Sequence, residues 1–334
     1  MELKMKYSHS RYYRSIHVLF IVVLISASAL AENNTGGASG LTTEIPGIFL
    51  NSSYDSDNPV IHIGVLANRG SEIAFQEWGP TADYLSRTLA PTRFDIVPLN
   101  FNETTRVSEN QSIAFVIANP SLYTYLEYYG LAQRVATMQV PGDPDPMPMF
   151  GGVIFTRSDN PDINELVDLK GKRFAAVDQS SLGGWQASQI EILGEGIDPE
   201  TDFSSLNFTG THDAVVFSVL NGDVDAGTVR STQLERMARE GKIDLNQIKV
   251  LHDLKTQYPH YPYLISTHLY PEWPFAALSS TNKELSKKVA VALLMMNQDD
   301  PAAKASQGAG WAIPQDYSIV HELLRTLQLP PYNN

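Results

Sequence analysis

The stretch Asp178-Gln179-Ser180-Ser181-Leu182-Gly183-Gly184-Trp185 lies near the middle of the chain, between a predicted strand and a predicted helix. The apolar run at 174–177 before it predicts a short buried strand, and apolar residues after Trp185 recur at helical spacing. The chain therefore passes from a strand through two hydroxyls and two glycines directly into a helix. Free backbone N–H groups and the positive end of the helix dipole at such a turn favour an anion. An ordinary serine cap that opens a helix is the competing interpretation.

Strands, polar turns and amphipathic helices alternate on both sides of this stretch. Strands are predicted at 60–66, 94–99, 113–118, 150–155, 224–229, 248–251, 263–266 and 275–278. Pro80 predicts a restart in the first helix, because proline is tolerated only in a helix's first turn. The strand at 150–155 is expected to cross between two lobes. The alternation is typical of an α/β fold, and about 300 residues suffice for two lobes.

The N-terminus has the pattern of a secretory signal peptide. Basic residues precede the apolar run at 18–25, and small residues suit cleavage after Ala31. The apolar segment is shorter than the ~20 residues that a membrane-spanning helix needs, although an uncleaved anchor stays an alternative. We therefore expect a signal peptide at 1–31, a flexible leader at 32–58, and a mature protein outside the cytoplasm.

Composition excludes several classes of function. The chain has no cysteine and a net charge of -13, which moves to -16 when residues 1–31 are removed. Such an acidic protein is a poor partner for nucleic acid. The histidines lack metal-ligand spacing, no G-x-S-x-G elbow is present, and His212 and Asp213 are adjacent, which does not suit a catalytic triad. We expect no enzyme activity, no cofactor and no metal.

Four short motifs then follow one another in a characteristic order: 168–173 (DLKGKR), 180–184 (SSLGG), 210–215 (GTHDAV) and 221–227 (NGDVDAG). With them the chain resembles periplasmic solute-binding proteins of the phosphonate, phosphite and phosphate type, from about Ile61 to the C-terminus. The resemblance implies a type II periplasmic-binding fold, in which two lobes with mixed sheets and flanking helices are joined by a hinge. It implies a first lobe of 59–153 plus 268–334, a second lobe of 154–267, and a ligand in the cleft between them.

Other stretches are similar to one branch of this family, the input domains of sensor histidine kinases, which include tetrathionate sensors. They are 182–186 (LGGWQ), 229–237 (VRSTQLERM), 266–274 (STHLYPEWP) and 310–317 (GWAIPQDY). No transmembrane helix or kinase domain follows these stretches before Asn334. A sensor of this kind is therefore expected to signal through a separate membrane kinase.

The resemblance implies that Ser180, Ser181, Gly183 and Gly184 bind the oxyanion group of the ligand. His212 matches a family histidine that can donate to an anionic oxygen, and the alternative is a histidine that only caps or packs. Asp213 is a further candidate for the ligand site, although it is rather expected to cap the helix that begins there. The remaining candidates follow strand ends or adjoin the glycines: Asn68, Arg69, Asn119, Ser121, Tyr123 and Trp185. Arg69 suits a bidentate clamp on an oxyanion or a solvated loop charge. Trp185 is preferred to Trp78 as a cleft residue because it adjoins the glycines.

The sequence predicts an extracytoplasmic binding protein that captures a small oxyanion and delivers it to an ABC transporter permease. The alternative is a ligand-sensing module that signals to a membrane histidine kinase. Phosphonate, phosphite, phosphate, sulfur oxyanions and small carboxylates all suit a helix N-terminus with hydroxyls. The sequence leaves the choice among them open.

Overall fold

The structure, a computed structural model, describes residues 60–333, so the predicted signal peptide (1–31) and leader (32–58) lie outside the described residues. The strands are β1 Val60–Leu66, β2 Arg93–Leu99, β3 Ile113–Ile117, β4 Ala132–Met138, β5 Met149–Phe150, β6 Gly152–Arg157, β7 Arg173–Ala176, β8 Ser205–Phe208, β9 Ala226–Arg230, β10 Ile248–Leu251, β11 Tyr270–Pro271, β12 Pro274–Leu278 and β13 Trp311–Ala312. The helices are α1 Ser71–Thr88, α2 Phe101–Thr105, α3 Pro120–Tyr128, α4 Ala187–Gly194, α5 Pro199–Asp202, α6 His212–Leu220, α7 Gln233–Arg239, α8 Lys283–Leu294, α9 Pro301–Ala305 and α10 Ser318–Thr326.

The strands form two mixed sheets that carry helices. The first sheet has the order β13-β4-β12-β3-β1-β2, in which β1 is parallel to β2 and β3 while β12 and β13 are antiparallel to their neighbours. The second has the order β10-β6-β9-β7-β8. We call the first sheet with α1–α3 and α8–α10 the first lobe, and the second sheet with α4–α7 the second lobe. The predicted α/β fold with mixed sheets is confirmed.

The chain crosses between the two sheets along a two-stranded ribbon. β5 and β11 pair antiparallel, with Tyr270 opposite Phe150. The predicted crossing strand is broken at Gly151, where a side chain would meet the Ile265 Cδ1 atom at 2.6 Å and the Thr267 Oγ1 atom at 2.7 Å. Glycine therefore lets the outgoing and returning segments pack closely. The lobe boundaries drawn from the sequence stay a prediction.

Side-chain caps explain where several helices begin. The Oδ1 atom of Asn119 accepts bonds from the N–H groups of Ser121 and Leu122 at the start of α3. The Thr211 hydroxyl accepts from the Ala214 N–H at the start of α6. The expectation that Asp213 caps α6 is therefore wrong, because Thr211 holds the cap position and Asp213 lies in the first turn.

The expected restart at Pro80 does not occur, because α1 runs without interruption from Ser71 to Thr88. Proline removes one N–H bond from a helix interior, and tertiary packing has to compensate. Trp78, Ala82 and Leu85 bury one face of α1 around this position. Burial of that face therefore outweighs the local preference of proline.

The predicted strand at 263–266 is also wrong. Its backbone N–H groups donate to unrelated partners and not to one neighbouring strand. The Leu264 N–H donates to the Glu235 side chain, and the Ser266 N–H donates to the carbonyl of Gly152. An irregular segment satisfied in this way has no ladder to join. Conversely, β4 was not predicted, although it lies inside the first sheet between β12 and β13.

Candidate functional site

The turn at 178–185 leads from β7 into a single π-helical turn, Leu182–Gln186, and then into α4. The Ser181 hydroxyl accepts a bond from the Gly184 N–H at 3.2 Å, so this serine does cap the turn. The Ser180 hydroxyl donates to the Asp178 carboxylate at 2.7 Å. Both hydroxyls are thus oriented by bonds within the turn itself.

The two glycines are required by close packing. A Cβ atom at Gly183 would lie 2.7 Å from the Phe150 ring and 2.8 Å from the Cβ atom of Arg230. At Gly184 it would lie 2.5 Å from Val177. The glycines therefore bring the turn directly against the last residue of β9.

Hydrogen bonds join this turn to the first lobe. The Asn119 side-chain amide donates to the Ser180 carbonyl at 3.2 Å. The Ser121 hydroxyl donates to the Gln186 side-chain carbonyl, and both residues are buried. The structure thus brings together polar residues that are about 60 positions apart in the sequence.

His212 lies at a second contact between the lobes and is 2% exposed. Its backbone N–H donates to the Asn68 carbonyl at 3.2 Å, and its Nδ1 atom accepts from the Arg230 backbone N–H at 3.3 Å. Burial, with a smaller effect from the charge of Arg230, lowers the pKa of His212 to about 3. The imidazole is therefore neutral at neutral pH. Because Nδ1 accepts, Nε2 carries the proton and can donate to an anion.

Arg69, for which the sequence left an oxyanion clamp and a solvated loop charge open, is paired with two carboxylates of the chain. Its guanidinium makes four bonds of 2.6–2.8 Å, two to Asp213 and two to Glu240. Burial by itself lowers the pKa of Arg69, but the bonds to Glu240 and Asp213 outweigh it and raise the pKa. Four of its five N–H donors are therefore used by the protein.

The aromatic candidates Tyr123 and Trp185 pack in the cores of their lobes. Tyr123 is fully buried and packs edge-on against Tyr317. Trp185 is 3% exposed and packs against Phe174 and Phe208. Of the two tryptophans weighed from the sequence, Trp78 lines the cavity described next, together with Trp273.

A cavity that is partly open to solvent lies between the lobes. Residues of both lobes line it: Asn68, Glu77, Trp78, Met138, Val140, Arg230, Thr232, Gln233, Arg236, Trp273, Ser306 and Gln307. Asn68 was among the predicted site residues. Two other predicted site residues, Gly183 and His212, lie next to the cavity, because both contact the cavity-lining residue Arg230.

Two arginines lie in the cavity wall, and each is paired with carboxylates of the chain. Arg230 pairs with the fully buried Glu272, and its guanidinium lies 4.8 Å from the ring centroid of Phe150. Arg236 pairs with Glu77 across the lobes. Burial raises the pKa of Glu77 and of Glu272, although the neighbouring arginines oppose the shift. Guanidinium groups held in this way are suited to an oxyanion, which accepts paired N–H bonds.

Thr232 adds a strained backbone to the cavity wall. Its φ of 80° places a β-branched residue in the left-handed region just before α7. Such a conformation is costly for this residue type and is typical of functional sites. The turn sets the direction of α7, on which Gln233 and Arg236 face the cavity.

The sequence did not single out Glu77, Gln233, Arg236 or Trp273 as site residues. Three of these four residues lie in stretches that resemble sensor input domains, Gln233 and Arg236 in 229–237 and Trp273 in 266–274, so the resemblance could have pointed to them. No position in those stretches was assigned to the ligand.

Among residues 60–333, no group of three or more His, Asp or Glu side chains is placed to hold a metal ion. In the same range, no helix has the length and apolar character needed to cross a bilayer.

Residues 63–318 match the family described as ABC transporter, phosphonate, periplasmic substrate-binding protein. The match covers most of the chain, and the chain belongs to this family. Members of the family and of this fold are binding proteins, and their location is extracytoplasmic.

Of two similar proteins, one is named as a sensor kinase and the other as an import protein. The tetrathionate sensor histidine kinase TtrS of Salmonella typhimurium is 33% identical over 272 residues, which are 81% of this chain and 44% of that protein. The phosphate-import protein PhnD of Mycolicibacterium smegmatis is 31% identical over 102 residues, covering 28% of this chain and 32% of that protein. The chain spans less than half the length of either relative.

A solved structure supports the fold. PhnD1 of Prochlorococcus marinus, in complex with methylphosphonate, has a TM-score of 0.66 at 15% identity and covers 81% of this chain and 98% of its own. The expected two-lobed type II periplasmic-binding fold is thus confirmed.

Proposed function

We propose that this protein captures a small oxyanion in the cavity between its lobes. The observation that carries the proposal is the placement of two guanidinium groups, Arg230 and Arg236, in one cavity wall. Arg230 also touches the turn that the sequence assigns to the oxyanion. The donors are held in place before the ligand arrives, so little ordering is required on binding.

The ligand is proposed to bind when the lobes close on the hinge formed by the crossing segments. In the closed arrangement Asn119 bonds to the Ser180 carbonyl, and Ser121 bonds to Gln186. Opening the lobes would break these bonds, and an entering ligand would bind the released groups before the lobes close around it. Ser180, Ser181, Gly183, Gly184, His212, Asn119, Ser121 and Asn68 are accordingly proposed as residues of the ligand site.

The proposed biological role is delivery of the anion to an ABC transporter permease, as the family description indicates. A second role has specific support, because the match to the tetrathionate sensor kinase covers 81% of this chain. In that role the closed lobes would signal to a membrane histidine kinase. A permease and ATPase encoded beside the gene favour transport, and a kinase that has no input domain of its own favours sensing.

A thermal-shift screen of the purified protein tests the binding function. The panel consists of methylphosphonate, phosphite, phosphate, tetrathionate, thiosulfate and acetate. An anion at 100 times its dissociation constant adds about 2.7 kcal/mol of stability by linkage, enough to raise the melting temperature by several degrees. A response to phosphorus oxyanions supports the transport role, and a response to sulfur oxyanions supports the sensing role. A panel without any response contradicts the proposal.

A further inference from the structure

Arg69 connects one loop of the first lobe to two helices of the second. It follows β1, in the loop that precedes α1. Asp213 lies in the first turn of α6, and Glu240 caps the C-terminus of α7. The Arg69 side chain is 1% exposed, against 16% for Asp213 and 30% for Glu240. The cluster thus lies at the junction of the lobes with its cation buried.

Residues of the protein supply all the hydrogen-bond partners of this cluster. Arg69 donates two bonds to each carboxylate, and Lys242 reaches Asp213 at 3.2 Å and Glu240 at 2.9 Å. Paired bonds between guanidinium and carboxylate are both strong and specific in direction. All the groups belong to the chain, so the bonds need no ligand atom.

Arg69 itself does not line the cavity, although Gln233, which donates to Asp213 at 2.9 Å, and Arg236, which donates to Glu240 at 3.0 Å, both do. Opening the lobes would pull Asp213 and Glu240 away from a guanidinium that has no other carboxylate partner in the described chain. Opening would therefore break four charge-assisted hydrogen bonds at once. Separation is therefore opposed whether or not an anion is bound.

We propose that Arg69 is a positioning residue, a ligand-independent latch that holds the two lobes closed through Asp213 and Glu240. The proposal rests on the proposed function only in taking lobe closure as the binding movement. A stronger latch makes the binding-competent closed state more populated, which raises the apparent affinity for any ligand of the cavity.

The absence of cysteine from the chain makes the latch directly measurable. Lys288→Cys on α8 and Glu195→Cys after α4 place one spin label on each lobe, at exposed positions. Pulsed electron paramagnetic resonance then gives the distribution of distances between the lobes in protein without added anion. We expect Arg69→Met to move the main population to longer distances, with at least a tenfold fall in the ratio of closed to open molecules. Circular dichroism checks that the fold is retained.

Matched variants separate the latch from a general effect of charge. Arg106→Met removes an exposed arginine whose partner Glu109 lies in the same lobe, and it should leave the distances unchanged. Arg69→Lys keeps the charge but not the paired bonds, so an intermediate shift is expected. Glu240→Gln weakens one half of the latch and carries the test if Arg69→Met does not fold.

Unchanged distances in Arg69→Met, or in Glu240→Gln if only that variant folds, would overturn the proposal, as would an equal shift in Arg106→Met. Because these distances are measured without an anion, a failed latch is distinguishable from a failed binding function, which the anion panel on the unaltered protein tests.

Discussion

Glu77 on α1 and Arg236 on α7 form an ion pair between the two lobes in the cavity wall, with side chains only 8% and 14% exposed. Both charges have been removed from water, and each is stabilised by the other. Because Glu77 belongs to the first lobe and Arg236 to the second, this part of the cavity wall forms only when the two lobes are in contact. Any anion that binds Arg236 has to share it with Glu77 and with Glu240, which accepts from the Arg236 Nε atom at 3.0 Å.

Arg236→Met should destabilise the protein by about 3 kcal/mol, because it leaves the Glu77 carboxylate buried without its partner. The double variant Glu77→Met/Arg236→Met should recover most of that loss, since an apolar pair of similar volume replaces the ion pair. Urea denaturation of the single and double variants measures both effects. A double variant that is less stable than Arg236→Met would contradict this account of the pair.

Gly183→Ala should destabilise the protein by about 1–3 kcal/mol, the usual range for overpacking. The added methyl would meet the Phe150 ring and the Cβ atom of Arg230 at less than 3 Å. Gly194→Ala is the control, because nothing lies within 4 Å of a Cβ atom at that position in α4. Melting temperatures of the two variants compare them directly. Equal stability would show that the turn does not pack closely on Arg230.

The sequence predicted the alternation of strands and helices because buried strands and caps leave local patterns. Asn119 and the serine-glycine turn were found in this way. Arg230 and Arg236 were not, because their role depends on partners far away in the chain, Glu272 and Glu77. For the same reason the sequence left Arg69 open between an oxyanion clamp and a solvated loop charge, because its partners Asp213 and Glu240 are distant in the chain.

Long-range packing also determines where the aromatic side chains lie. Trp185 adjoins the glycines in sequence, but its ring turns into the core against Phe174 and Phe208. Trp78 lies on α1 at core spacing and still reaches the cavity. Proximity in sequence to a binding turn therefore does not determine which way a side chain points.

His212 should make stability depend on pH. Its folded pKa of about 3 lies below the ordinary value of 6.5, so below pH 6.5 the unfolded chain binds a proton that the folded protein does not. Stability is therefore lost as the pH falls, by about 2 kcal/mol at pH 5 from this group alone. Nearby Arg230, Asp213, Arg69 and Arg236 carry the charges that act on this ring.

His212→Gln should remove this part of the loss between pH 7 and pH 5, as measured by urea denaturation at each pH. His260→Gln, at an exposed position, controls for the removal of a histidine as such. If His212→Gln and the unaltered protein lose the same stability over this interval, the ring is not held neutral by burial.

The guanidinium groups of the cavity are proposed to bind a small oxyanion. Isothermal titration calorimetry measures this binding, with the anion that gives the largest thermal shift. We expect one site per chain. We also expect at least tenfold weaker binding in Glu77→Met/Arg236→Met, because a hydrogen bond to a charged group contributes about 1.5–3 kcal/mol. Arg157→Gln, which removes an exposed pair with Asp159, should bind normally. Unchanged affinity in Glu77→Met/Arg236→Met would contradict the claim.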